Sequence, residues 1–164
     1  GDAALAVAAM KGRVKLSPRE RAGIEKRLHA PTPRLALGAA LRGIARSAID
    51  ISDGLCADLG HICERSRVAA VVGLERLPIS PVMRRHLDSP AARDALLAGG
   101  DDYELCFTAP LARRRAVLRA ASRTATKVTA IGRIEGRKTR PRVTVIAHGG
   151  KRMEVKRGGY DHFR

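Results

Sequence analysis

Scarcity of aromatic side chains constrains this chain most: two Tyr, two Phe and no Trp serve 164 residues. A chain of this length can bury a core without disulfide or metal staples. That core has to be built from Leu, Val, Ile and Ala, within the 45% of residues that are hydrophobic. One ordinary domain is the expectation, and an aromatic residue is conspicuous wherever it stands.

Proline and glycine divide the chain into short elements. Residues 1–10 have helical propensity and open abruptly, with no initiator Met. Ser17-Pro18-Arg19-Glu20 offers an N-cap, a proline at the first helical position and an acid three residues after the cap. A helix is predicted from there to about His29, where Pro31 and Pro33 stop it. A short apolar helix over 35–42 closes at Gly43. Residues 46–51 read as a strand and Ser52-Asp53-Gly54 as a tight turn into a helix with Leu55, Leu59, Ile62 and Cys63 on one face. Further strands are predicted over 68–74, 103–108 and 128–134, and short helices over 82–87 and 91–97. An amphipathic helix is predicted over 110–122, with Arg113, Arg114 and Arg115 on or near its wet face. Val143, Val145 and Ala147 alternate towards His148-Gly149-Gly150, and Met153 and Val155 alternate after it, a hairpin pattern. The sum is an α+β architecture, a mixed sheet of about five strands with helices against it.

Lys and Arg number 32 against 16 Asp and Glu, a formal charge of +16. Such a field concentrates polyanions, from a nucleotide triphosphate to nucleic acid. The basic residues are spread from Lys11 to Arg164, so they equally fit a role in solubility alone. Cys56, Cys63 and Cys106 are odd in number and lie in apolar segments. Although Cys56, His61 and Cys63 crowd one stretch, their spacing matches no common zinc motif, and all three thiols read as reduced cysteines of a cytoplasmic protein. No apolar run approaches the roughly 20 residues of a membrane span, and secretion is not expected.

Strand alternation through residues 48–55 sends Asp50 and Ser52 to one side and Ile49 and Ile51 to the other. Asp53 falls at the expected N-cap of the next helix, where outward amides and the positive helix end suit a phosphate, and Gly54 permits close approach. Two carboxylates beside a phosphate are hard oxygen ligands for magnesium, which bridges and neutralises phosphate oxygens. The same residues also fit a plain cap and a solvated strand acid.

Residues 99–105 form a second acidic site, Gly-Gly followed by Asp101, Asp102 and Glu104. Three carboxylates so close repel one another unless a cation or donor offsets them. A structural turn, with Glu104 paired to an arginine, is the alternative. The third site is residues 158–163, where Tyr160 and Phe163 either stack on a flat ring or plug the core. His61 and His162 have no evident nucleophile partner in the sequence.

Together and in this order, these segments resemble the C-terminal domain of bacterial thiamine-monophosphate kinases. The likeness runs through Gly1-Asp2-Ala3-Ala4-Leu5, residues 48–60, residues 99–108, Ile131-Gly132 and residues 158–163, essentially the whole chain. Asp-x-Ser-Asp-Gly by itself also fits the wider superfamily of ATP-dependent aminoimidazole-ribonucleotide and selenophosphate synthetases. The resemblance implies a synthetase-like C-terminal α+β domain over 31–164, preceded by an interdomain helical segment over 1–30. It further implies an enzyme that moves the γ-phosphoryl group of ATP onto the phosphate of thiamine monophosphate with Mg2+. Asp50 and Asp53 would be catalytic metal ligands, and Ser52 an ATP-phosphate contact. Asp101 would contact the thiamine end, where the family usually has Glu, and Phe163 would lie beside the thiamine rings. The family carries an N-terminal domain with much of the ATP site and the main dimer surface. The expectation is therefore a full-length homodimer, and no turnover by these 164 residues alone.

A basic nucleic-acid-binding module is the rival reading. It explains the charge, yet the chain has neither interleaved aromatics for stacking bases nor a helix-turn-helix fingerprint. Another ATP-dependent synthetase of the same superfamily is a nearer rival, which the terminal aromatic segment argues against.

Overall fold

In the computed structural model, which describes residues 1–136 and 140–153, capping chemistry sets several helix boundaries. Helix α1 covers Asp2–Met10 and α2 covers Pro18–His29. Ser17 Oγ accepts the Glu20 N–H at 3.3 Å and Glu20 Oε2 accepts the Ser17 N–H at 2.9 Å, the reciprocal capping box expected there. Leu35–Ala40 forms α3, Leu55–Ser66 α4, Pro81–His86 α5, Pro90–Ala98 α6 and Arg114–Arg123 α7. Ser80 caps α5 by accepting the Met83 N–H at 3.0 Å, and a leading proline starts both α5 and α6.

The strands among the described residues are β1 Ser47–Asp50, β2 Ala69–Gly73, β3 Leu105–Thr108, β4 Gly132–Glu135, β5 Arg142–Ile146 and β6 Arg152–Met153. Helices packed with mixed strands make the expected α+β class, but the strands divide into two sheets rather than one. β1 pairs antiparallel with β3 alone. The second sheet has the order β4-β2-β5-β6, with β2 antiparallel to β4, parallel to β5, and β5 antiparallel to β6. Alternation marks a strand but is silent on its partner, because pairing is settled by residues distant in sequence. β3 also begins two residues later than expected: Asp101 and Tyr103 have φ of 65° and 48°, left-handed values that interrupt an extended ladder.

The core is aliphatic throughout. Leu5, Ile24, Cys63, Val72, Met83 and Val145 are among its most completely buried side chains, none of them aromatic. They draw α1, α2, α4, α5, β2 and β5 into one cluster. Leu55, Leu59, Ile62 and Cys63 all face it, as their helical spacing predicts. Leu37, Leu41 and Ala120 form a smaller cluster that Phe107 and Val117 flank, leaving Arg113, Arg114 and Arg115 exposed. No helix among the described residues is long and apolar enough to cross a membrane.

Candidate functional site

β1 and β3 place the two acidic segments side by side. Their ladder sets Asp50 opposite Leu105, and the pairing continues past the strands. Ile51 N–H donates to Glu104 O at 2.8 Å, Tyr103 N–H to Ile51 O at 2.9 Å, and Asp101 N–H to Ser52 O at 3.0 Å. Gly100 makes this possible, since a Cβ there would lie 2.0 Å from Ser52 O. Segments some 50 residues apart thus become one corner, tied by backbone hydrogen bonds.

Ile49 and Ile51 pack against the main core, and Asp50, on the opposite side of the strand, is exposed, as alternation predicts. The turn differs from expectation. The N-cap of α4 is Gly54, not Asp53, with φ 119° and its Cα so close to α6 that a Cβ would lie 2.7 Å from the Ala98 carbonyl carbon. Nor does the Gly54 amide point out to receive a phosphate. Ser52, Asp53 and Gly54 each donate their N–H to Asp58 Oδ2, all at 3.1 Å. Asp58 is 2% exposed. Burial pushes its carboxyl up from the usual range, the three amides pull it back, and the Asp53 charge adds to the rise.

The three acids of the second segment separate into different roles. Asp102 is buried and turns to the start of α1, where it accepts the Ala3 N–H at 3.3 Å. Glu104 accepts a two-pronged contact from Arg34, Nε to Oε2 and Nη2 to Oε1, each at 2.8 Å, and a further contact from Arg27 Nη2. Arg34 foremost holds the Glu104 carboxyl below its ordinary range, against the cost of burial. Asp101 is exposed with no side-chain partner among the described residues. Donors and cations therefore offset two of the three charges, and Asp101 is left facing solvent.

Asp50 and Asp53 likewise have no ion pair or side-chain hydrogen bond among the described residues. In a chain with twice as many cations as anions, acids left unpaired at one corner are poised for an added cation. Among the described residues, Asp53, Asp58 and His61 bring ligand atoms within 4.8 Å of one another. Asp50 is outside that group and instead lines an open cleft of about 530 Å³ with Pro31, Arg34, Leu35, Tyr103 and Glu104. The cysteines take no part in it: Cys63 and Cys106 are buried, Cys56 is half-buried, all are free, and burial pushes the Cys56 and Cys106 thiols up to about 11.

Phe163, with Tyr160 and His162, lies outside the described residues. Sequence reasoning missed Asp58, Arg27 and Arg34. Asp58 was open to detection, because a charged residue on the apolar stripe of α4 must find donors inside the protein. The two arginines gave no local signal among so many.

No family model matches the chain. The thiamine-monophosphate kinase of Salmonella typhimurium is 40% identical over 169 residues, covering 99% of this chain and 50% of that protein. The crystal structure of the thiamine-monophosphate kinase from Stenotrophomonas maltophilia superposes with a TM-score of 0.77 at 42% identity, over 93% of this chain and 48% of that one. AaThiL complexed with AMPPCP and TMP gives a TM-score of 0.75 at 28% identity, over 99% of this chain and 48% of that one. The chain spans about half the length of the relatives it matches. Fold, motif order and identity over nearly its whole length agree, and they make this chain a homologue of the C-terminal part of the thiamine-monophosphate kinases.

Proposed function

We propose that this chain supplies part of a magnesium-dependent kinase that transfers the γ-phosphoryl group of ATP to the phosphate of thiamine monophosphate, releasing thiamine diphosphate and ADP. One observation carries the reading: the backbone ties the two acidic segments into a single corner and leaves Asp50, Asp53 and Asp101 unpaired there. The relatives' name and a relative's complex with AMPPCP and TMP support the substrates.

Hard carboxylate oxygens without protein partners are a fitting donor set for Mg2+. Asp50 and Asp53 would hold it, with Ser52 contacting an ATP phosphate. When bound, the ion neutralises charge on phosphate oxygens. This chain's residues position the phosphates, and phosphoryl transfer asks a protein for little more than position and charge. Asp101 would meet the thiamine end of the substrate and Phe163 its rings. An N-terminal domain completes the ATP site in this reading, residues 1–30 connect to it, and the whole protein is a cytoplasmic homodimer. Three free, largely buried thiols suit that compartment.

The test is to incubate the full-length protein with thiamine monophosphate, ATP and Mg2+ and measure thiamine diphosphate and ADP. Equal yields of both, abolished by chelation, are expected. A folded full-length protein that forms neither product overturns the reading. The 164-residue chain alone is expected to form neither.

A further inference from the structure

The three amides gathered on Asp58 are a backbone nest, the concave arrangement that commonly receives an anion. Here the anion is internal. Asp58 stands on the buried face of α4 between Leu55 and Leu59, and its Oδ2 accepts from three successive residues, Ser52, Asp53 and Gly54. Two of these three carry the side chains assigned above to phosphate and metal. Their backbone is held from the other side as well, since Ser52 O accepts the Asp101 N–H at 3.0 Å. With the nest already filled, these three amides are closed to an incoming phosphate.

We infer that Asp58 is a positioning residue of the phosphoryl-transfer site: it locks residues 52–54 in the turn that aims Ser52 and Asp53 at the magnesium-bound nucleotide, and bars phosphate from the amide cradle. This rests on the kinase reading above. With its Oδ2 taken up by the three amides, Asp58 acts through the turn. Groups that orient metal ligands in this way typically matter by about 10- to 100-fold in metal affinity or activity.

The test uses the full-length protein as wild type, Asp58→Ala and Asp58→Asn. Three readouts are taken: amide exchange of residues 52–54, half-saturating Mg2+, and kcat at saturating ATP. Asp58→Ala is expected to speed exchange at 52–54, raise half-saturating Mg2+ by about tenfold or more and lower kcat comparably. Asn keeps an acceptor oxygen on the same stem and is expected to recover most of all three. A folded Asp58→Ala protein that only melts earlier, with wild-type Mg2+ dependence and kcat, overturns the inference. Should Asp58→Ala not fold, wild-type amides at 52–54 that exchange as fast as an open loop overturn it instead. A wild type without turnover strikes the kinase reading, and Mn2+ affinity by electron paramagnetic resonance across the folded proteins then decides for Asp58: equal affinities overturn the inference and a tenfold loss in Asp58→Ala sustains it.

Discussion

Replacing Gly100 by alanine tests whether close backbone approach builds the site. The added Cβ would lie 2.0 Å from Ser52 O and 3.0 Å from its carbonyl carbon, well inside contact distance and against main chain rather than a movable side chain. The φ of Gly100 is not in the left-handed region, so alanine suffers from the collision and not from its own backbone preference. Relief requires residues 100–103 to part from 51–52 by roughly 1 Å, which costs the Asp101-to-Ser52 and Tyr103-to-Ile51 bonds. Two such bonds contribute about 1–3 kcal/mol together, and overpacking adds about 1–3 kcal/mol. The expected loss is about 2–6 kcal/mol, a drop of roughly 1–3 M in the urea midpoint for a slope near 2 kcal/mol/M. Gly60→Ala is the control. Gly60 lies inside α4 with nothing within 4 Å of a built Cβ, so alanine there is expected to stabilise by about 0.5–1 kcal/mol through helix propensity. Urea unfolding followed by far-ultraviolet circular dichroism measures both. A Gly100→Ala midpoint within about 0.2 M of wild type would refute the reasoning.

In the full-length protein, Asp50→Asn and Asp53→Asn are each expected to lower Mg2+-dependent phosphoryl transfer by roughly 100-fold or more with circular dichroism unchanged; wild-type turnover in both would sink the metal assignment. Asp101→Glu lengthens the side chain assigned above to the thiamine end and is expected to lower the KM for thiamine monophosphate with little change in kcat, a split that steady-state kinetics reads directly. Hydrogen bonds from the Ser17 backbone and then Arg85 hold the Glu20 carboxyl at about 2, below its ordinary 4.5. The folded value is the depressed one, so the stability it lends is present above about pH 4.5 and lost as pH falls towards 2. Glu20→Gln should remove that part of the acid sensitivity, and acid titrations of melting temperature that are parallel for variant and wild type would count against it.

Helices were the most legible part of the chain because their signals are local. Ser17, Pro18 and Glu20 announce a helix start within four residues, and the capping box is present as read. The face of α4 was legible for the same reason, from the spacing of Leu55, Leu59, Ile62 and Cys63. Asp50, Ser52, Asp53 and Asp101 were singled out through motif order, although each motif alone also fitted an ordinary turn. The N-cap was misplaced by one residue, since Asp53 and Gly54 both suit that position and packing against Ala98 selects the glycine.

By itself, then, the sequence determined an aliphatic core, the run of helices and strands, and a likeness to one family of kinases, all properties carried by short windows or by their order. Tertiary structure decided the division into two sheets, the pairing of residues 50–52 with 101–105, and the fate of each acid. Asp58 turns inward to three amides, Glu104 to Arg34 and Arg27, and Asp102 to the start of α1, whereas Asp50, Asp53 and Asp101 keep their carboxylates unpaired. A carboxylate looks the same in any of these roles along the chain. Only the donors that folding brings within about 3 Å distinguish a group already satisfied from one left unpaired.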